Sequence, residues 1–581
     1  MRVLLLHPDD SPRQGPWSRQ RWDLIVDLGK SSTFSQERWS RQYGCPVLRT
    51  EEFRGGISDV KQVHQIFSAG RGRLIDEEGI DWWDLMSLVI APDALAVVVL
   101  QKVRDQIDPA AEAWATRQGG VVGVMAVLLG RAIQSFGSSV LDRSMVRVMH
   151  YAGLARRFSA AQIKEIFLDK YDSSYKWRSR FAERKEPRNE PVVLLPSAYG
   201  NVSRMAAEYA RGLPGQSFLM VVTRDNAKHF VAPSNVQVRD LASYAKAMPT
   251  AEIASMLERW AKLRADLQSS PELRVLSETG AMGSFIGWIR DGLSARNAWR
   301  KVLECEPVCG VLCGDDSNIY TRVPVLLAAR RKIPTVDFHH GALDGRYVMK
   351  ELPCDVYLAK NEMERDYLLQ VCGLPAGRVQ IGAPAGEGMR LVDREHPQGT
   401  SVVLFSEPYE AVGMRGEEVY GELLPPLCRL ARENGRSVII KLHPFESRSQ
   451  RNRMLSQILN SDDRALVKAV DGPLTAELMA QAWFGITVES TTAIDCLQNG
   501  ICCFLCRWLT LSPYEYAEQY ARFGVGEGLQ DVTQIADIPK RLVDFHGRGG
   551  KRFDFSMTVD PAMMQRWLTS AHESSGVRSA S

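Results

Sequence analysis

The feature that most constrains this chain is a rhythm that begins after Pro191. A short, continuous apolar run is followed by a polar turn, an amphipathic helical stretch and another apolar run. Runs at 192–195, 217–222, 308–312, 335–338, 356–359 and 378–381 form one series, and runs at 401–405, 437–442, 465–468, 484–488 and 501–505 form a second. Helical periodicity lies between them at 202–211, 250–268, 282–303, 322–331, 362–371, 420–434, 451–459 and 474–482. Strands that are apolar on both faces, joined by helices, are the mark of a parallel sheet covered on both sides. The pattern therefore predicts an α/β fold with two Rossmann-like, doubly wound domains, at 190–385 and 398–545. The Gly- and Pro-rich stretch 382–400 reads as the hinge between them, and 546–581 as a terminal helix and tail.

A chain of 581 residues is too long for one core. Residues 1–185 are read separately, as an α/β start with strands at 2–6 and 23–28 followed by an α-rich region, in the role of acceptor or partner binding. The formal net charge of +3 argues against a nucleic-acid partner. The eleven cysteines form no paired CxxC clusters and read as buried free thiols of a reducing compartment. Apolar runs at 94–100 and 121–129 fall well short of the roughly 20 residues a spanning helix needs. The expectation is a cytoplasmic protein, open to peripheral contact at the inner face of the membrane through the basic segment 176–188, with Lys176, Arg178, Arg180, Arg184, Lys185 and Arg188.

In open α/β sheets, ligands bind beyond the carboxyl ends of the strands. Four polar clusters fall at such positions, two per domain: Asp315 with Asp316, His339 with His340, Lys441 with His443, and Glu489-Ser490-Thr491-Thr492. A cleft shared by two facing sheets would bring all four together. Adjacent carboxylates can raise one another's pKa and so supply a base, or they can cap the next helix. His339 and His340, ahead of Gly341, are the rival base. His443 precedes Pro444, which fixes the turn, and can act as a phosphate hydrogen-bond donor or as an acid toward a departing nucleotide. Ser490, Thr491 and Thr492 open a helix, where hydroxyls and backbone amides can hold phosphate or merely cap.

Asp315-Asp316-Ser317, Lys441-Leu442-His443-Pro444 and Ser490-Thr491-Thr492, in that order, resemble the GT-B glycosyltransferases of bacterial surface-polysaccharide synthesis. Sialyl- and polysialyltransferases carry an acidic pair, a His-Pro and a Ser/Thr pair in the same sequence, although their acidic motif ends in Gly where Ser317 stands here. Capsule Kdo transferases and CDP-glycerol glycerophosphotransferases are similar over the same region, and the latter carry a His-Gly that His340-Gly341 resembles. The resemblance implies an inverting, metal-independent transfer from a nucleotide-sugar, a CMP-linked acidic sugar such as a nonulosonic acid or Kdo, to a glycan, lipid-linked or protein acceptor, with no further cofactor. Asp315, Asp316 or His340 would be the base. His443 and Lys441 would stabilise the leaving phosphate, Pro444, Ser490, Thr491 and Thr492 would shape its seat, and Glu489 would take a ribose hydroxyl. The altered acidic motif leaves room for a non-catalytic nucleotide-binding scaffold, and the two-domain layout for a UDP-sugar 2-epimerase-like enzyme.

Overall fold

A computed structural model describes the chain apart from residues 7–19, 29–32, 50–52, 54–56, 116–189, 229, 245–249, 268, 270–272, 275–281, 283–284, 317, 342, 344–351, 385–398, 410–413, 415, 510–515, 548–556 and 570–581. The basic segment 176–188, the helical pattern beyond 115, most of the expected hinge and the terminal tail lie outside the described residues.

Three sheets follow one another, and every strand pairing in them is parallel. The amino-terminal sheet has four strands, β1 (Arg2–Leu6), β2 (Leu24–Asp27), β3 (Val47–Arg49) and β4 (Glu112–Ala115), in the order β3-β2-β1-β4. The middle sheet has seven: β5 (Val192–Ser197), β6 (Phe218–Val222), β7 (Val236–Asp240), β8 (Val308–Cys313), β9 (Thr335–Phe338), β10 (Val356–Ala359) and β11 (Val379–Ile381), ordered β11-β10-β9-β8-β5-β6-β7. The carboxy-terminal sheet has six: β12 (Ser401–Phe405), β13 (Ser437–Lys441), β14 (Val467–Val470), β15 (Ala482–Thr487), β16 (Cys503–Cys506) and β17 (Glu527–Leu529), ordered β14-β13-β12-β15-β16-β17. The order reverses between β5 and β8 in the middle sheet and between β12 and β15 in the last, where open α/β sheets place their ligands. The middle and last sheets give the two-Rossmann layout of the GT-B class.

The central strands β5, β6 and β12 are buried along their whole length, as their unbroken apolar sequence requires. The start of the chain is more sheet-like than expected, because β3 and β4 add to the two strands read from sequence, although helix Trp82–Gln106 forms as its periodicity predicts. That helix ties the amino-terminal part to the middle domain. Arg296, with no exposed surface, lies 2.8 Å from Asp76 and 2.6 Å from Glu252, and the Trp82 indole donates to Asp76 at 2.8 Å. A side chain at Gly292 would strike the Trp82 ring, with its Cβ 2.2 Å away, so the glycine permits the close approach. The last helix, Pro561–Thr569, returns to the middle sheet and lies across β8, where a Cβ on Gly310 would sit 2.1 Å from the Leu568 carbonyl oxygen. All eleven cysteines are unpaired, and nine of them are buried. Among the described residues no helix is long and apolar enough to cross a membrane.

Candidate functional site

The carboxyl ends of the middle and last sheets meet through a buried aromatic seam. Helix Tyr516–Arg522, which follows β16, packs against helix Glu362–Gln370, which follows β10. Arg522 holds Asp366 with bonds of 2.7 and 3.1 Å, and the Tyr516 and Tyr367 rings meet edge to face at 5.0 Å. Leu343, three residues beyond His340, is buried in the same apolar cluster as Tyr516. Burial raises the Tyr520 phenol well above its ordinary value. Tyr516 adds to the rise, as do the carboxylates Glu407 and Glu489 from the last domain and Glu364 from the middle one. One side chain therefore lies within electrostatic reach of both strand-end regions.

At the end of the middle sheet, the two aspartates have different surroundings. Asp316 is buried against the equally buried Arg322 at 3.0 Å, and Arg322 comes from helix Ile319–Arg330. A carboxylate held by a buried guanidinium ties the strand end to helix Ile319–Arg330. Asp315 is only partly buried, and its carbonyl accepts the Thr321 hydroxyl. His340, one strand over, reaches back so that its Nδ1 lies 2.9 Å from the Gly314 carbonyl oxygen. A carbonyl can only accept, so Nδ1 carries the hydrogen and Nε2 keeps its lone pair. The histidine is thereby set as an acceptor. The His339 ring stacks on His340 at 5.4 Å, and a Cβ on Gly341 would meet open space.

The end of the last sheet has the opposite arrangement. The backbone amide of Phe445 donates to His443 Nδ1 at 3.2 Å, so the ring's hydrogen resides on Nε2. Burial, aided by the Lys441 charge, pushes the His443 pKa down to about 4, so at neutral pH the ring is uncharged and donates from Nε2. A neutral ring with its hydrogen on Nε2 can donate one hydrogen bond. Pro444 and Phe445 are exposed beside it, with the Phe445 ring 5.0 Å from the imidazole. Glu446 fixes the turn: it accepts the His443 amide at 2.8 Å through one oxygen and Arg451 at 2.7 Å through the other. A hydroxyl chain from Ser406 through Tyr420 reaches the same carboxylate.

Lys441 is buried, its side chain donates to the Leu442 carbonyl at 2.8 Å, and Asp471 and Glu446 act on it only through space. Burial lowers its pKa, and no carboxylate lies in ion-pair contact with it among the described residues. A buried cation without a counter-ion is costly, and a bound anion relieves that cost.

Glu489, Ser490, Thr491 and Thr492 follow β15. The Ser490 hydroxyl accepts the Thr492 amide at 3.3 Å, while Thr491 makes no capping bond and the Thr492 hydroxyl is buried without a partner. The run is only partly spent on capping. The Glu489 amide donates at 2.8 Å to Glu407, a residue that sequence reasoning missed. Glu407 lies two residues past β12 at the point where strand order reverses, and its Oε1 also accepts from the Thr487 hydroxyl at 2.9 Å and the Val488 amide at 3.2 Å. Burial and the neighbouring Glu489 charge push its pKa up to about 7, against the pull of those three donors. The available signal was a Glu two residues after the apolar run 402–405. Glu446 had one too, as an acid three residues after a histidine turn.

Neither a family model nor a curated protein matches the sequence. Among solved structures, the chain is similar to the UDP-GlcNAc 2-epimerase from Neisseria meningitidis bound to UDP-GlcNAc, at 13% identity and a TM-score of 0.41, over 65% of this chain and 99% of that one. It is similar to a glycosyltransferase from Rickettsia africae at 10% identity and a TM-score of 0.37, over 66% and 94%. The calicheamicin glycosyltransferase CalG4 shows 13% identity and a TM-score of 0.37, over 66% and 95%.

Proposed function

We propose that the protein is an inverting, metal-independent glycosyltransferase that moves an acidic sugar, a nonulosonic acid or Kdo, from a CMP-linked donor to a surface glycan or a protein. The observation that carries this reading is the pairing of Lys441, a buried cation without a carboxylate partner, with the neutral His443 that donates from Nε2. Both lie at the carboxyl end of β13, next to the strand-order reversal, where a donor phosphate would sit.

In this reading the acceptor hydroxyl gives its proton to His340 Nε2, the nitrogen left free by the Gly314 contact. The hydroxyl oxygen then bonds to the anomeric carbon on the face opposite the phosphate. The bond from that carbon to the phosphate oxygen breaks, and the electron pair leaves with the nucleotide. Lys441 and His443 stabilise the charge that develops there, a contribution of about 3 kcal/mol for a donor aimed at a growing anion in a dry site. Ser490 and Thr491 complete the phosphate seat, and Asp315 orients the acceptor.

The test is a binding screen of CMP, CDP, UDP and GDP, followed by turnover of the best ligand's sugar donor with and without acceptors. Cytidine preference with acceptor-dependent turnover is the expected outcome. Preference for UDP, with the sugar altered in the absence of any acceptor, would move the chain to a 2-epimerase-like enzyme. Binding without turnover of any donor would make it a scaffold.

A further inference from the structure

The reading above leaves Glu407 without a role, yet it occupies the most central position in the last domain. It lies two residues past β12, a strand flanked on one side by β13, which leads to Lys441 and His443, and on the other by β15, which leads to Ser490. Its two oxygens differ. Oε1 is saturated by the Thr487 hydroxyl and the Val488 and Glu489 amides. Among the described residues Oε2 has no hydrogen-bond partner, and the Glu407 side chain as a whole is only partly buried. A carboxyl anchored by one oxygen with the other left open at a ligand-binding strand end is built to touch a ligand.

The charge around it decides in which form it does so. Among the described residues, the titratable groups that face it are Glu489 from the loop after β15, Tyr409 from its own loop and Tyr520 from helix Tyr516–Arg522, and none of these is a cation. An ionised Glu407 would repel both Glu489 and an incoming phosphate. A protonated one would donate from Oε2 to a phosphate oxygen, while Oε1 keeps its three bonds.

We infer that Glu407 is a further ligand-binding residue of this site, which holds a proton on Oε2 and donates it in a hydrogen bond to an anionic oxygen of the bound donor's phosphate. The inference rests on the nucleotide-binding reading above. It adds that donor binding takes up a proton at neutral and alkaline pH, because the free carboxyl, with a pKa raised to about 7, is partly ionised there. The His443 ring titrates near 4 and does not contribute in that window.

The experiment uses the full chain with a CMP-linked sugar and UDP-GlcNAc as probes. Their phosphates are esterified and do not titrate between about pH 6 and 9. Affinity is measured by calorimetry across that range in two buffers of different ionisation enthalpy, for the wild type and Glu407→Gln, whose amide keeps a donor while losing the charge. The wild type is expected to lose about tenfold in affinity per pH unit above neutrality, with uptake approaching one proton. The variant is expected to bind with a flat profile and no uptake. A wild-type profile that is flat, or a folded Glu407→Gln variant with the same slope or with binding abolished at all pH values, would overturn the inference and leave the nucleotide reading standing. Folded protein of both kinds that binds neither probe at any pH would overturn both.

Discussion

The two strand ends that meet at the aromatic seam treat charge in opposite ways. In the middle domain Asp316 is matched by Arg322 behind the strand end. In the last domain, among the described residues, Lys441 and Glu407 make no ion pair, and Lys441 feels Asp471 and Glu446 only through space. The histidines divide likewise: His340 has its Nδ1 hydrogen spent on Gly314 and its Nε2 open to a proton, while His443 has Nδ1 occupied by the Phe445 amide and Nε2 ready to donate. Buried charges that satisfy one another hold a scaffold together, whereas buried charges left unmatched await a ligand. On this account the middle domain accepts a proton and the last domain receives an anion.

The comparison breaks first if the histidines are interchangeable. His340→Ala is expected to lower turnover by about 10²–10⁴-fold with little change in donor affinity, as for loss of a general base. His443→Ala is expected to abolish detectable transfer while circular dichroism shows the fold intact. Equal loss of donor affinity in both variants would erase the distinction.

It sharpens through the two buried cations. Arg322→Met leaves Asp316 buried and uncompensated, and should cost about 3–5 kcal/mol in denaturant unfolding. Lys441→Met removes an unmatched charge and should leave stability unchanged or raised, while turnover falls about 10²–10³-fold. If Lys441→Met destabilises the fold as much as Arg322→Met, Lys441 belongs to the scaffold.

The pH dependence of stability offers smaller effects with definite signs. His443 has its folded-state pKa lowered from 6.5 to about 4, so the native state binds fewer protons than the unfolded chain between those values. Stability should therefore fall as pH drops through that window, by up to about 3 kcal/mol, and His443→Asn should flatten the fall. Glu407 has its folded-state pKa raised from 4.5 to about 7, so the native state there binds more protons. Stability should decline as pH rises from 4.5 to 7, and Glu407→Gln should recover on the order of 2 kcal/mol at pH 8. A variant no more stable than wild type at pH 8 would mean that the carboxyl is better solvated than the geometry indicates.

Much of the fold was legible because a parallel strand covered on both faces cannot hide its composition. β5, β6, β10 and β12 are almost wholly apolar and β9 holds one buried Asp337, and each was read close to its observed bounds. Among strands with mixed burial, β11 and β14 were read but others were missed. β7 is buried at only one of its five positions, and β3 and β17 are three residues each, too short for a period to register. The return of helix Pro561–Thr569 to Gly310 depends on a contact far apart in sequence, which no local pattern carries.

At the site, the strand-end clusters were readable from their place in the rhythm, but their protonation and pairing were not. That Asp316 belongs to Arg322 follows from how helix Ile319–Arg330 packs, and the state of each imidazole from a backbone group near it in space. Glu407 drew no notice in the sequence because Glu489, the neighbour that helps raise its pKa, lies far along the chain in the loop after β15.

The most direct test is a crystal structure with a CMP-linked sugar or its inert analogue bound. The account expects the phosphate within hydrogen-bond distance of both Lys441 Nζ and His443 Nε2, with the anomeric carbon turned toward His340. A nucleotide seated at the amino-terminal sheet, or a phosphate that touches neither Lys441 nor His443, would contradict it.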